Sequence, residues 1–269
     1  MPVKGRLREP AFHLLEDAGL GPEQPGERAL AFPCRNAPVE VLLVRAADIP
    51  EYVQDGVVDC GITGLDLVRE RGARVAELVR LGFGSCRLEA AVLDDSAVSA
   101  LEDLEGGTVA TVYPRLAREL LPVRVELVDV TGSVEIAPRL GLADAIVDLV
   151  SSGNTLRTNG LRSLGALLES EAVLVAGDPE CAGPFASMLR AVVEGRRHRY
   201  VMMNAPEPQL PRIAELVRPR VPSVLPLAEP GLVAVHVLVP SADVWRLLPE
   251  LEAAGASSIL VVPVERMAA

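Results

Sequence analysis

The densest chemistry in the sequence lies between residues 143 and 155, where Ala143-Asp-Ala-Ile-Val-Asp-Leu-Val150 runs into Ser151-Ser-Gly-Asn-Thr155. Read as a strand, the apolar run puts Asp144 and Asp148 on one face, roughly 13 Å apart, too far to share a proton. The segment after it carries only small residues, hydroxyls and an amide. Its backbone N–H groups, the hydroxyls of Ser151, Ser152 and Thr155, the Asn154 amide and the flexible Gly153 suit a phosphate. A carboxylate beside that cradle repels phosphate but accepts hydrogen bonds from sugar hydroxyls, directly or through a hydrated Mg²⁺. The pattern therefore points to a 5-phosphorylated ribose, phosphate in the loop and diol at the acids. On spacing alone, the alternative is an ordinary surface turn with Asp148 paired to an arginine.

A second anion cradle is suggested earlier in the chain. An apolar strand over Val57–Ile62 turns at Thr63-Gly64 into a helix over Leu65–Arg71, stopped by Gly72, which places helix-start N–H groups beside glycine; the alternative is a glycine needed only for the backbone geometry of the connection. Of the 26 basic residues only Lys4 is a lysine, and a compact, mobile ammonium meets a phosphate as a point charge; an accident near a frayed terminus is the alternative. Cys34, Cys60, Cys86 and Cys181 form no CxxC pair, and His13, His198 and His236 stand isolated, so neither metal binding nor catalysis is assigned to them.

These groups are positioned by alternating strand and helix patterns, which argue for α/β layers with mainly parallel strands. A helix spans residues 8–18 and a strand Val39–Val44; Asp48 reads as the N-cap of a short helix reaching Gln54. Strands at Val75–Leu81 and Cys86–Leu93 flank Gly82–Ser85, a crossover into a second lobe. That lobe continues through a short helix at Ser99–Leu104, strand Thr108–Val112, a helix from Pro114, strand Val125–Val130 and helix Ser133–Leu140. Residues 164–176 supply strands returning to the first lobe, and Phe185–Arg197 is an amphipathic helix. The tail then reads strand Tyr200–Asn204, helix Gln209–Val217, strands Ser223–Leu227 and Leu232–Val239, helix Ala242–Leu251 and strand Ser257–Pro263. This βαββαβ order is that of a ferredoxin-like module.

At 269 residues, with 49% hydrophobic and 23% charged residues, the chain is long enough for two or three globular domains. A net charge of −11 opposes non-specific attraction to nucleic acid or anionic membrane. The first residues lack an apolar signal region and no run approaches the roughly 20 apolar residues of a membrane span, so a cytoplasmic protein is expected.

With these motifs in hand, the sequence resembles the ATP phosphoribosyltransferase family in its long form, with a C-terminal regulatory domain. The resemblance covers nearly the whole chain. It is carried by Lys4-Gly-Arg-Leu7, Val44-Arg45 with Asp48-Ile-Pro50, Asp59-Cys-Gly-Ile-Thr-Gly-Leu-Asp66 and Gly82-Phe-Gly-Ser85. It continues in Gly132-Ser-Val-Glu-Ile-Ala-Pro138, residues 141–150, Gly153-Asn-Thr-Leu156, Asn159-Gly-Leu161, Tyr200-Val-Met-Met203, Leu225-Pro-Leu-Ala228 and Gly255-Ala-Ser-Ser-Ile-Leu260.

The resemblance implies a two-lobed core like a type II periplasmic binding protein, plus a C-terminal ferredoxin-like domain. The expected divisions are 1–85 for lobe I, completed by about 165–195, then 86–164 for lobe II and 198–269 for the regulatory domain. It implies transfer of phosphoribose from phosphoribosyl pyrophosphate to N1 of ATP, with Mg²⁺ required, pyrophosphate released, histidine as feedback inhibitor and a hexamer built from dimers. On this view residues 151–155 hold the 5-phosphate, Asp148 with Glu135 engages the ribose hydroxyls or Mg²⁺, and Asp144 is a further substrate-binding residue. Lys4 and Arg45 attract the pyrophosphate, while Gly61, Thr63 and Gly64 line the facing lobe. Asn204, Ser223, Leu225, Leu227, Ala256 and Ser257 match the histidine pocket, the alternative being that they simply pack the sheet. One departure stands out: the family begins with an apolar strand before Lys-Gly-Arg-Leu, whereas only Met1-Pro2-Val3 precede it here. Either the start is assigned late or the fold manages with one strand fewer, and the position of Lys4 depends on which. The rival from another class is a two-lobed small-molecule sensor without catalysis, which has no need of a combined phosphate and diol site.

Overall fold

A computed structural model describes residues 1–21, 29–130 and 132–268 and divides the chain into two compact units, residues 1–186 and 187–269. The elements of the first unit are α1 (Arg8–Asp17), β1 (Ala31–Pro33), β2 (Glu40–Leu42), α2 (Ile49–Gln54), β3 (Cys60–Gly64), α3 (Leu65–Arg71), β4 (Ala76–Arg80), β5 (Cys86–Leu93), β6 (Thr108–Thr111), α4 (Pro114–Leu120), β7 (Glu126–Asp129), β8 (Ala145–Val150), α5 (Asn154–Thr158), β9 (Leu161–Ser170) and β10 (Ala172–Ala176). Helix α6 (Pro179–Arg196) leads into the second unit, which holds β11 (His198–Pro206), α7 (Leu210–Leu216), β12 (Ser223–Pro226), β13 (Leu232–Pro240), α8 (Val244–Ala253) and β14 (Ser257–Pro263).

Two sheets carry the first unit's lobes. One has the order β3-β10-β4, the other β7-β6-β8-β5-β9. Strands are mainly antiparallel, against the expectation of parallel ones: within these two sheets, among the described residues, only β6 runs parallel to its neighbours β7 and β8, while β10 is antiparallel to β3 and β4, and β5 to β8 and β9. The reason is the connectivity. The chain crosses between sheets through extended segments, β4 to β5 and β9 to β10, and a helical crossover is what a parallel neighbour needs. The return to the first sheet comes at Ala172; the segment before it, through Ser170, stays paired to β5 in the five-stranded sheet.

Apolar alternation explains the burial. Leu88, Ala90 and Val92 of β5 join Ala145 and Val147 of β8 beneath α4, while Ala91, Ile146 and Val150 face the opposite way toward Leu156 of α5. Ile49, Val53, Leu65, Val173 and Val175 form the core of the first sheet. Helices expected at 99–104 and 133–140 shrink to single 3₁₀ turns, Leu101–Leu104 and Val134–Ile136; Ser133 has φ 53° and Pro138 follows closely, so no α-helix propagates.

Pro2 and Val44 form one isolated parallel bridge, with Val3 N–H donating to the Val44 carbonyl at 2.8 Å. The Met1 amine donates to the Leu42 carbonyl at 2.7 Å, and burial lowers its pKa from 8.0 to about 6. Between the edge of β2 and the edge of β3 lies a cavity of about 480 Å³, lined by Met1, Leu42, Val44, Cys60 and Ile62 among others.

The second unit is a four-stranded antiparallel sheet of order β12-β13-β11-β14, the ferredoxin-like arrangement, with α7 and α8 over one face. Val201, Met203 and Ala205 of β11 and Val233, Val235, Val237 and Val239 of β13 point into that core. No helix among the described residues is long and apolar enough to cross a membrane.

Candidate active site

Strand β8 delivers Asp148 to its C-terminal end, on the face shared with Ile146 and Val150. The chain then turns through Ser151 and Ser152 to Gly153, whose φ of 72° caps α5 in the left-handed region that glycine adopts without strain. Ser152 Oγ accepts the Asn154 N–H at 3.5 Å, and Arg157 donates to the Asn154 side chain. A cavity of about 120 Å³ is bounded by Ser151, Ser152, Gly153, Thr155, Asp148 and Glu135. The phosphate-type loop and two carboxylates therefore meet at one hollow.

Asp148 is half-buried, and burial pushes its carboxyl above the ordinary carboxylate range; the Leu149 N–H pulls it back and the Glu135 charge raises it further. Among the described residues neither Asp148 nor Glu135 forms an ion pair, and the arginine partner of the surface-turn alternative is absent. Directly across the β5–β8 ladder from Asp148 stands the buried Glu89, and its carboxylate is taken by Arg87 Nε at 2.7 Å.

Other expected residues lie apart from this hollow. Asp144 precedes β8, accepts the Thr108 N–H at 2.8 Å and lines a different cavity of about 400 Å³. Gly61, Thr63 and Gly64 belong to β3 itself rather than to a turn. Thr63 Oγ donates to the Ala46 carbonyl at 2.8 Å, and the first N–H groups of α3 go to the Glu171 carbonyl (3.0 Å) and Ser170 Oγ (3.0 Å). Lys4 and Arg45 are exposed in the first lobe; Arg45 Nε holds Asp48 at 2.8 Å, so Asp48 makes an ion pair instead of a helix cap.

Sequence reasoning missed a polar cluster where the two sheets meet. Asp66, 1% exposed, accepts the Ser170 hydroxyl at 2.6 Å and the Tyr113 hydroxyl at 3.2 Å, and Arg6 Nη2 lies 3.7 Å away. Burial, then the charges of Asp66 and Asp148, keep the Tyr113 phenol protonated far above its ordinary range. Arg6 also donates to the Gly84 carbonyl at 2.7 Å on the β4–β5 crossover. Asp66 and Arg6 fall inside motifs the sequence analysis quoted, but their partners are 47 and 104 residues from Asp66 in the chain, and no local pattern marks such pairs. Among the described residues no group of three or more His, Cys, Asp or Glu could hold a metal ion.

Comparison with known proteins decides the family. The ATP phosphoribosyltransferase family profile matches residues 45–191, and the HisG C-terminal domain profile matches residues 195–266. The chain belongs to the ATP phosphoribosyltransferase family. Relatives of that name from Natronomonas pharaonis and Methanopyrus kandleri are 45% and 44% identical, each aligned over 99% of this chain and 98% of the relative. A solved ATP phosphoribosyl transferase (HisG:HisZ) complex from Thermotoga maritima superposes with a TM-score of 0.61 at 25% identity, over 72% of this chain and 96% of that one. The chain is thus an ATP phosphoribosyltransferase enzyme of the first step of histidine biosynthesis, in the long form with the extra C-terminal domain, and the sensor reading is not favoured.

In this phosphoribosyltransferase the residues expected to take histidine divide by face. Asn204 pairs with Ser257 across β11 and β14, Ser223 with His236, and Leu225 with Ala234. All lie on the sheet face opposite α7 and α8, where Tyr200, Leu225, Leu260 and Val262 are exposed. Leu227 follows β12 and donates its N–H to the Leu232 carbonyl at 3.1 Å. Ala256 points the other way, into the helix-covered core.

Proposed function

We propose that the chain moves the phosphoribosyl group of phosphoribosyl pyrophosphate to N1 of ATP, with the 5-phosphate in the 151–155 loop and the ribose hydroxyls at Asp148 and Glu135. The observation that carries this is the pair of acids beside the loop, both half-buried and, among the described residues, neither matched by a protein cation. A poorly solvated carboxylate without a cationic partner gains from any ligand that brings hydroxyl donors or positive charge. Departure of pyrophosphate builds positive charge at C1 of the sugar and negative charge on the leaving group. Catalysis then needs placement and fixed charge more than a nucleophilic side chain. Asp148 and Glu135 supply negative potential near the sugar, Lys4 and Arg45 supply positive charge for the pyrophosphate, and Gly61 to Gly64 lines the opposing lobe.

Two carboxylates with no histidine or thiolate in support are hard oxygen donors of the kind Mg²⁺ accepts. Asp148 and Glu135 would hold it, mainly through water. When bound, the ion neutralises charge on the leaving pyrophosphate. The open face of the C-terminal sheet, with Asn204, Ser223 and Ser257 among exposed apolar residues, suits both histidine as inhibitor and association of copies of the chain into dimers and hexamers.

The test is direct. Incubated with ATP, phosphoribosyl pyrophosphate and Mg²⁺, the protein should release phosphoribosyl-ATP and pyrophosphate, and histidine should slow the release. Binding of both substrates without either product would refute the catalytic reading. Inhibition unaltered in Asn204→Ala and Ser257→Trp would refute the regulatory one.

A further inference from the structure

Helix α3 belongs by connectivity to the first sheet, since it joins β3 to β4, yet one side of it faces the second lobe. Leu65 and Val68 pack into the first core, whereas Leu67 packs against the core that holds Tyr113, Leu116 and Ala117. One helical turn apart on that second side stand Asp66 and Glu70, and both are spent on the start of α4. Glu70 Oε1 accepts the Arg115 N–H at 3.0 Å and Oε2 the Leu116 N–H at 2.9 Å, while Asp66 accepts the Tyr113 hydroxyl at 3.2 Å. The grip is reciprocal. The Arg115 guanidinium lies over Gly72 at the end of α3, where an added Cβ would collide with it and where φ is +60°. Helix starts leave N–H groups without intrahelical partners, and a carboxylate meets them with charge-assisted bonds. Here the capping carboxylate comes from the other lobe, 45 residues away.

We infer that Glu70 is a positioning residue for the transfer reaction: by holding α4 to α3 it fixes the two lobes in the relative placement that binds phosphoribosyl pyrophosphate. The inference rests on the substrate reading above, in which the 5-phosphate sits on the second lobe and the pyrophosphate is met by residues of the first. One molecule must then reach both, and the free enzyme binds it in proportion to the fraction of molecules already in the matching placement. Glu70 touches no reacting atom. Its loss lowers that fraction but leaves the bound complex unchanged once substrate has drawn the lobes together.

The experiment compares full-length wild type with Glu70→Ala and Glu70→Gln. Glu70→Ala should raise KM for phosphoribosyl pyrophosphate about tenfold with kcat within about twofold, a change equal to about 1.4 kcal/mol. Glu70→Gln retains one acceptor oxygen and should recover part of the loss. Amide exchange should quicken at Arg115 and Leu116 in Glu70→Ala while β5 and β8 stay protected, which separates a released grip from an unfolded protein. An unchanged KM, or a fall in kcat that exceeds the rise in KM, overturns the inference, as does loss of protection throughout both sheets. Ser152→Ala probes the substrate reading by itself. If Ser152→Ala raises KM and Glu70→Ala does not, only the Glu70 role fails; if Ser152→Ala has no effect, the substrate reading fails and takes the Glu70 role with it.

Discussion

Replacing Asp148 by asparagine removes one negative charge from the hollow and leaves an oxygen that still accepts a sugar hydroxyl. Substrate binding should therefore change little, with KM within about threefold of wild type. Loss of a preorganised charge or hydrogen-bonding group at the reacting centre commonly costs about 10² to 10³ in kcat. Glu135 borders the same cavity and keeps part of the negative potential, which places the expected loss near the lower end, about a hundredfold or about 2.7 kcal/mol. Stability should move the opposite way. Burial raises the folded-state pKa of Asp148 above its ordinary 3.8, so the folded state binds the proton more tightly than the unfolded chain. That costs stability as pH rises from about 3.8 through the folded value, and the cost persists above it. An uncharged amide at this position carries no such penalty, so Asp148→Asn should melt at or above the wild-type temperature at pH 7, and the difference should vanish below about pH 3.8. The assay is product formation by single-turnover and steady-state kinetics, with thermal melts across pH. Wild-type kcat in Asp148→Asn would remove the residue from the mechanism, and a destabilised variant at pH 7 would refute the electrostatic account of its burial.

Gly153→Ala should weaken phosphoribosyl pyrophosphate binding. The new Cβ would meet Arg157 at 3.7 Å, an ordinary contact, so the penalty is the left-handed backbone, about 1–2 kcal/mol, read as a rise in KM of about five- to thirtyfold with unchanged kcat. The buried Met1 amine, with a pKa lowered from 8.0 to about 6, binds its proton less tightly folded than unfolded. Stability should therefore rise by about 2–3 kcal/mol as pH increases through that window, in denaturant titrations at fixed salt. Four residues of alternating apolar character added before Met1 should abolish this pH dependence and raise the melting temperature by filling the cavity between β2 and β3; an unchanged melt would show that the two strand edges do not accept a further strand.

Much of the second unit is legible in the sequence because its pattern is local. Alternation in Tyr200–Asn204 and Leu232–Val239 and a helical stripe between Ala242 and Leu251 are local signals; the structure lengthens both strands and shifts the helix by two residues, to Val244–Ala253. The Asp148 loop is legible for a similar reason: strand, hydroxyls and glycine follow one another directly. Strand periodicity groups Asp144 with it by putting both acids on one face, but a shared face does not make a shared cavity, and the Thr108 N–H claims Asp144 at the far end. Gly61-Ile-Thr-Gly64 resembles a phosphate-binding turn because glycine followed by a helix is common to turns and to close packing. Here Gly61 gives room to Ile49 and Val53, whose side chains would collide with a Cβ, and pairing with β10 makes the segment a strand.

Burial without a local signature explains what is not legible. Asp66 and Glu70 sit in a helix whose sequence reads as an ordinary amphipathic segment, and nothing nearby tells that one acid meets Tyr113 while the other caps α4. The contrast with Asp148 is informative. Each of the three carboxylates Asp66, Glu70 and Glu89 is met by donors from the protein itself, through Ser170 and Tyr113, through two backbone N–H groups, and through Arg87. Among the described residues Asp148 receives only its neighbour's N–H while sitting under the repulsion of Glu135. A fold that supplies donors to Asp66, Glu70 and Glu89, and among the described residues places no cation at Asp148 beside the hydroxyl-rich loop, leaves that carboxylate to be completed by what binds there.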